Sequence, residues 1–428
     1  MDRFIIKGGP RLKGQVTISG SKNSALPILA ATLLLDGPST ICGVPDLADI
    51  TAMIDLLVDL GAEVHRDESG KVHVNVVQQE ASHAPYDRVR KMRASIGVLG
   101  PLLAKRGKAR VAMPGGCAIG MRPVNLHVRG LKALGAEMEL DGGDILAKCP
   151  RLKGASIFLG GPFGSTVLGT DNVMMAATLA QGRTIIESAA CEPEVVDLAN
   201  FLNAAGAKIT GAGTPRIIIE GVEKLTGVTD HQVIPDRIEA GTFMIAAAIT
   251  NGEVTINNVN LDHMVAAVDK LQEIGVGIEP HNGGVIVSSA RHLEPTDVTT
   301  QPYPGFPTDL QAQLLALLCL SDGNSAVTEK IFPDRFMHVA ELARMGADIR
   351  KEGYTAIVTG VKKLVGAPVM ASDLRASAAL VLAGLVAQGT TTVNRVYHID
   401  RGYEQIEKKL AALGADIKRV DGEAPPMC

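Results

Sequence analysis

The sequence predicts an α/β (α+β) protein of two domains, each assembled from three copies of a helix–strand module of about 70 residues. Three observations carry this reading. A short phrase recurs six times along the chain, each copy has a matching upstream half, and the composition suits large cores. The phrase is an apolar stretch of helical period, a small-residue turn and then a strand. It reads Leu-Gly-Ala-Glu-Val at 60–64, Leu-Gly-Ala-Glu-Met at 134–138 and Ala-Gly-Ala-Lys-Ile at 205–209. It continues as Ile-Gly-Val-Gly-Ile at 274–278, Met-Gly-Ala-Asp-Ile at 345–349 and Leu-Gly-Ala-Asp-Ile at 413–417. Its glycines, Gly61, Gly135, Gly206, Gly275, Gly346 and Gly414, are spaced 74, 71, 69, 71 and 68 residues apart.

The upstream half of a module begins with an apolar helix. A polar–Gly turn and a β-branched run follow, as in Leu35-Asp36-Gly37-Pro38-Ser39-Thr40-Ile41, Ala180-Gln181-Gly182-Arg183-Thr184-Ile185-Ile186 and Ala387-Gln388-Gly389-Thr390-Thr391-Thr392-Val393. The glycine fits a helix C′ position and the β-branched run fits a strand. A second helix comes next, with apolar residues at spacings of three and four, as in Ile50, Met53, Ile54, Leu57 and Leu60. It ends at the repeat glycine. The module is thus helix–strand–helix–strand, with a further strand to close it. Solenoid repeats have periods of roughly 20–50 residues, so modules of this size favour two domains of three, with clefts between them open to a ligand.

With 428 residues, 46% hydrophobic and 21% charged, the chain is neither disordered nor fibrous. The longest apolar runs, Ala25–Leu35 and Ala376–Ala387, fall short of the roughly 18 residues of a membrane span. The start of the chain has no leader-like apolar region, so a cytosolic globular protein is expected. A net charge of −4, 3% aromatic residues and no Trp argue against a nucleic-acid binder. The six cysteines, at 42, 117, 149, 191, 319 and 428, form no Cys-x-x-Cys pair, so neither zinc nor a disulfide framework is expected. Cys42, Cys149, Cys191 and Cys319 read as buried structural residues. His127, His338 and His398 read as structural partners rather than metal ligands.

Polar residues interrupt the pattern where the first helix of each module begins: Lys22-Asn23, Arg93, Asp171-Asn172, Asp236-Arg237, Asp309 and Arg375. A helix N-terminus favours anions, and Lys22, Arg93 and Arg375 would make such a place strongly cationic. Individually they read as N-caps (Asp309, Asp373) and solvated arginines; their recurrence at equivalent points favours a shared site. The stretch 113–126 differs in kind. Met113-Pro-Gly-Gly-Cys117-Ala-Ile-Gly-Met-Arg122-Pro-Val-Asn-Leu126 is glycine-rich with a thiol near its tip, which suggests a lid bearing a reactive residue. No P-loop, His-Glu-x-x-His or complete dinucleotide fingerprint is present.

Five phrases together resemble the UDP-N-acetylglucosamine enolpyruvyl transferase family. They are Ser-Gly-Ser-Lys22-Asn23-Ser-Ala-Leu-Pro, Pro-Gly-Gly-Cys117-x-Ile-Gly-x-Arg122-Pro-Val, Phe-Pro-Thr-Asp309-Leu-Gln-Ala-Gln, Asp-Leu-Arg375-Ala-Ser-Ala and Tyr-His-Ile-Asp-Arg401-Gly-Tyr-Glu. The resemblance runs over essentially the whole chain. It implies a two-domain inverse α/β barrel, or prism, of three units per domain. One domain would combine 1–21 with 233–428; the other, 22–232, would carry the cysteine loop at about 113–124. It implies transfer of the enolpyruvyl group of phosphoenolpyruvate to the 3′-hydroxyl of UDP-N-acetylglucosamine, with release of phosphate, at the first committed step of peptidoglycan synthesis.

By the same resemblance Lys22, Arg122 and Arg401 hold phosphoenolpyruvate, with Arg93 and Arg375 close by. Asp309 deprotonates or orients the sugar hydroxyl. Cys117 supplies the proton or forms a covalent adduct, and is the point of alkylation by fosfomycin. Asn23, Arg93, Arg122, Pro123, Val124, Asn125, Leu126 and Asp309 contact the nucleotide sugar, as do Thr166, Val167, Ile331 and Phe332. Neither metal nor organic cofactor is implied, and the cysteine loop would fold over the bound sugar nucleotide. Two places depart from the family pattern. Asn125 stands where many relatives have Asp, and Gly160-Gly-Pro-Phe-Gly-Ser-Thr-Val-Leu-Gly-Thr170 replaces an expected Ser-Val-Gly-Ala-Thr. The neighbouring alternative is the shikimate-pathway enolpyruvyl transferase, against which Cys117 and Asp309 speak. A non-catalytic nucleotide-sugar sensor on the same scaffold is the alternative from another class.

Overall fold

The computed structural model describes residues 2–114, 124–289 and 292–421. Among these, six four-stranded sheets account for nearly all the strand residues, one sheet per repeat of the sequence. The module at 156–220 shows the plan. An apolar helix, Val167–Ala177, leads into the strand Arg183–Glu187. The outer helix Pro193–Ala204 follows, then the strands Lys208–Thr210 and Arg216–Glu220. The last strand lies antiparallel between the other two, with Ile185 opposite Ile218 and Ile209 opposite Ile219. A short strand, Ser156–Phe158, adds in parallel at the edge of Arg183–Glu187.

All six repeat glycines have positive φ, between +89° for Gly346 and +103° for Gly206. A Cβ at such an angle is strained, and glycine alone adopts it without cost. The outer helix must end there for the chain to turn into its strand, and this is why the phrase repeats. Gly37, Gly182 and Gly389 share the positive φ but do not sit at helix C′ positions. The helix Val167–Ala177 ends well before Gly182, and Gln181 and Gln388 make isolated bridges to Lys153 and Val365. Each of these two glycines therefore turns the chain from a bridge into the strand.

Sequence order is broken at three strands. Arg3–Lys7 lies antiparallel between Thr390–Asn394 and Asp416–Val420, supplying the strand that the last repeat lacks. Lys13–Thr17 runs parallel to Glu253–Asn257, and His231–Gln232 runs parallel to Ser39–Cys42. The chain divides into two compact units, one of residues 2–19 and 235–421, the other of 20–114 and 124–234. Each has its own hydrophobic core.

In each unit the first helices of the modules are buried almost all round. Lys22–Ala31 and Val167–Ala177 do this in one unit, Arg237–Ile249 and Leu374–Val386 in the other. Helices apolar on every face belong in a core. The second helices are amphipathic: Ala48–Asp59 buries Ile50, Met53, Leu56 and Leu57 but leaves Ile54 half-buried. Cys149 and Cys319 are buried as expected, and burial pushes the Cys319 thiol up to about 12. Cys42 and Cys191 are only half-buried: Cys42 is the last residue of the strand Ser39–Cys42, and Cys191 lies in the loop just before the helix Pro193–Ala204. Among the described residues no helix is long and apolar enough to cross a membrane.

Candidate active site

In the unit of residues 2–19 and 235–421, polar chemistry gathers around Asp309. The phrase Phe-Pro-Thr-Asp forms a short 3-10 turn, Thr308–Leu310, that runs straight into the buried helix Gln311–Leu318. Pro307 precedes the turn, so Asp309 is not an N-cap. Its side chain instead meets two guanidinium groups. Arg335 Nη1 donates to Oδ1 at 2.8 Å and Arg375 Nη2 donates to Oδ2 at 3.1 Å. Both arginines are buried, at 5% and 2% exposure, while Asp309 is partly open to solvent.

Arg375 follows Asp373, which is the N-cap of Leu374–Val386 and accepts from the backbone N–H groups of Arg375 and Ala376. Its guanidinium stands over the Tyr403 ring, 5.3 Å from the centroid. Burial works against its charge. Burial is the largest single influence, but Asp309, Tyr403 and Asp236 together overcome it and hold its pKa above the ordinary value. Nε and Nη1 of Arg375 find no hydrogen-bond acceptor among the described residues. The Tyr403 hydroxyl meets Thr242 Oγ1 at 2.8 Å and accepts from Gln313 Nε2 at 3.0 Å; the same amide reaches the Asp309 carbonyl at 2.9 Å. Arg401 closes the 3-10 segment Val396–Arg401, two residues before Tyr403, and is half-buried.

In the unit of residues 20–114 and 124–234, Lys22 opens the buried helix Lys22–Ala31. Its Nζ pairs with Asp49 Oδ2 at 3.0 Å, both side chains nearly buried, while Asn23 beside it is exposed. Arg93 opens the 3-10 helix Arg93–Val98 and is half-buried. Asn125 is the first residue of the helix Asn125–Ala133 and is exposed; Leu126 is half-buried and Val124 buried. Asn172 ties these starts together. Its amide nitrogen donates to Ile96 O at 2.8 Å and meets His127 Nδ1 at 2.9 Å, and its oxygen accepts from Gly100 N at 2.7 Å. His127 is held neutral, its pKa lowered to about 4 by burial and by the nearby Arg93 charge.

Thr166 and Val167 lie at the start of Val167–Ala177, where the Thr166 hydroxyl accepts from Gly169 N at 3.2 Å. Because Thr166 caps it, this helix begins earlier than the polar pair Asp171-Asn172 suggests. Both residues are inside it and buried, so they are not at an anion-accessible end. The structure thus brings together Asp309 and Arg375 in one unit. In the other it brings Arg93 close to the helix that begins at Asn125. Ile331 and Phe332 are joined to the Asp309 group through Glu329, as described below. Cys117, Arg122 and Pro123 lie outside the described residues. Sequence reasoning missed Asp49, Arg335, Glu329 and Tyr403. Only Tyr403 had a signal, its place in the Arg401-Gly-Tyr-Glu phrase.

The chain is similar in structure to the enolpyruvyl transferase NikO from Streptomyces tendae, with a TM-score of 0.89 at 24% identity and 99% of both chains covered. It is also similar to an EPSP synthase from Acinetobacter baumannii, at a TM-score of 0.76, 20% identity, and coverage of 98% of this chain and 100% of that one. These likenesses define the fold as that of the enolpyruvyl transferases. A family profile described as EPSP synthase (3-phosphoshikimate 1-carboxyvinyltransferase) matches residues 6–410. In sequence the chain is 56% identical, over 98% of its length and 99% of the relative's, to the UDP-N-acetylglucosamine 1-carboxyvinyltransferase of Methylacidiphilum infernorum (isolate V4). It is likewise 56% identical to the enzyme of that name from Geobacter metallireducens, over 98% of this chain and all of that one. The chain belongs to the UDP-N-acetylglucosamine 1-carboxyvinyltransferase family.

Proposed function

We propose that this protein transfers the enolpyruvyl group of phosphoenolpyruvate to the 3′-hydroxyl of UDP-N-acetylglucosamine, releasing phosphate, in peptidoglycan synthesis. The observation that carries this is 56% identity over nearly the full length to relatives of that name. The Asp309 cluster supports it from the geometry. Addition places the sugar oxygen on C2 of phosphoenolpyruvate and a proton on its methylene carbon. Elimination then removes phosphate and a proton from that carbon, restoring the double bond. The first step needs a group to take or orient the hydroxyl proton and a group to supply one. Both anions of phosphoenolpyruvate need cations that stabilise the leaving phosphate.

Asp309 serves the hydroxyl, with both its oxygens fixed by arginines. Buried Arg375 adds a fixed positive charge beside that carboxylate. Lys22, Arg93, Arg122 and Arg401 complete the cationic set for phosphoenolpyruvate. Asn23, Pro123, Val124, Asn125, Leu126, Thr166, Val167, Ile331 and Phe332 are assigned to the nucleotide sugar. Cys117 supplies the methylene proton or holds a covalent adduct, and fosfomycin alkylates it. The units are assigned as 1–21 with 233–428 and as 22–232. The test is phosphate released from phosphoenolpyruvate with and without UDP-N-acetylglucosamine. Release that depends on the sugar nucleotide is expected. Release independent of it, or none from folded protein, overturns the reading.

A further inference from the structure

We infer that Glu329 is a positioning residue that locks Asp309 and the 331–332 segment into one rigid group. The inference rests on the proposed role of Asp309 and on the assignment of Ile331 and Phe332 to the sugar nucleotide. Glu329 follows the strand Asn324–Thr328 directly and is fully buried, at 0% exposure. A buried carboxylate needs several donors to offset its lost hydration, and it has four. Oε1 accepts from Thr300 Oγ1 at 2.7 Å, Ile331 N at 2.7 Å and Phe332 N at 2.9 Å. Oε2 accepts from Thr308 Oγ1 at 2.8 Å.

The two oxygens therefore do separate work. Oε1 fixes the backbone of the 331–332 segment, and Oε2 fixes the hydroxyl of the residue before Asp309. Thr308 passes the constraint on. Having donated to Glu329, its oxygen accepts from Arg335 Nη1 at 3.0 Å, and the same nitrogen donates to Asp309 Oδ1 at 2.8 Å. Arg335 belongs to the turn that Phe332 begins, since its backbone N–H donates to the Phe332 carbonyl at 2.9 Å, and its guanidinium lies 5.8 Å from the Phe332 ring centroid. The path is a closed loop from Glu329 through Thr308 and Arg335 to the Phe332 carbonyl and back through the 331–332 backbone to Glu329, and the Asp309 carboxylate is held from it by Arg335. A side chain aimed by a buried, fully engaged network holds its geometry to the tolerance that general base chemistry requires. Two contacts to one substrate, a carboxylate at its reacting hydroxyl and a backbone segment alongside, then keep a fixed separation.

The experiment compares Thr308→Val, Thr308→Ser, Glu329→Gln and Asp309→Asn by steady-state phosphate release across pH, with UDP-N-acetylglucosamine binding measured by calorimetry. Thr308→Val keeps the shape and removes the hydroxyl that links Oε2 to Arg335. Its kcat is expected to fall at least tenfold, with the pH profile displaced and sugar-nucleotide affinity within threefold of wild type. Thr308→Ser restores the hydroxyl and is expected to recover most of the activity, which a packing role for the threonine methyl would not allow. Glu329→Gln keeps one oxygen and loses the charge, so one set of donors is left without its acceptor and kcat is expected to fall with the pH profile displaced. Wild-type kcat and pH profile in Thr308→Val and Glu329→Gln, even with a lowered melting temperature, overturn the inference. Asp309→Asn separates the two readings. If it turns over normally, the role of Asp309 itself fails. If it is inactive while the Thr308 and Glu329 variants are not, only the positioning role fails.

Discussion

Asn172→Ala is expected to cost the unit of residues 20–114 and 124–234 about 3–5 kcal/mol. Asn172 has no exposed surface, and three of the four hydrogen bonds open to its amide are made: two donor bonds to Ile96 O and His127 Nδ1, one acceptor bond from Gly100 N. A net intramolecular hydrogen bond contributes about 1 kcal/mol, and a buried partner left unsatisfied costs about 1–3 kcal/mol. Three lost bonds give about 3 kcal/mol if water enters the space. They give more if the Gly100 N–H and Ile96 carbonyl stay dry, and the low-dielectric surroundings favour the upper part of the range. The close approach that makes these bonds possible is visible at Gly100, where a Cβ would stand 2.3 Å from the Asn172 carbonyl oxygen. The assay is urea denaturation followed by far-ultraviolet circular dichroism, because the chain has no Trp for fluorescence. A loss below about 1 kcal/mol would refute the reasoning, since it would mean the three segments are held by packing and not by the amide.

Other perturbations test the remaining polar assignments. His338 is fully buried, and burial, aided by Arg335 and opposed by Asp373, lowers its pKa to about 4. Its folded value lies below its ordinary 6.5, so the stability it contributes is complete above pH 6.5 and drains away as pH falls towards 4. His338→Gln is expected to lose less stability than wild type over that interval, as read by melting temperature; equal slopes would contradict this. Asp171 has the opposite sign, because burial, with Glu192 and Glu194 adding to it, raises its pKa well above 3.8. Stability from that group is complete below its ordinary 3.8 and is lost as pH rises from there through the raised value, so Asp171→Asn should gain on wild type as pH rises above about 4. A constant difference across that range would rule it out. Lys22→Met leaves Asp49 buried without its lysine and should cost about 3 kcal/mol as well as activity. Adding Asp49→Asn should recover the melting temperature but not phosphate release, and recovery of both would remove Lys22 from the chemistry.

The parts of the fold written in local sequence were legible. The six repeat glycines mark turns whose positive φ no other residue tolerates well, and they alone gave the module count that appears as six sheets. Amphipathic period located the outer helices, though in Ala48–Asp59 Leu56 is buried as well and Ile54 packs against the core only in part. The start of Val167–Ala177 was misplaced because a polar pair inside a buried helix looks like a helix end until its partners are seen. The Asp309 motif announced the acid but not what holds it. Arg335 lies 26 residues away and Arg375 66, and Asp49 is 27 from Lys22. Arg375 stood out through its own phrase, but nothing local distinguishes Arg335 and Asp49 from solvated charges. Glu329 reads as an ordinary glutamate at the end of a strand, and its function comes from four donors that converge only after folding.

The most direct test of the account is the structure of the product. Purified protein would be given phosphoenolpyruvate with UDP-N-acetylglucosamine or with 3-phosphoshikimate, and the organic product of each mixture identified by nuclear magnetic resonance. Vinyl protons on an ether at the sugar 3′-oxygen are expected, formed in step with phosphate, and no product from 3-phosphoshikimate. An enolpyruvyl ether on the shikimate acceptor instead, or phosphate released with no ether formed, would contradict it.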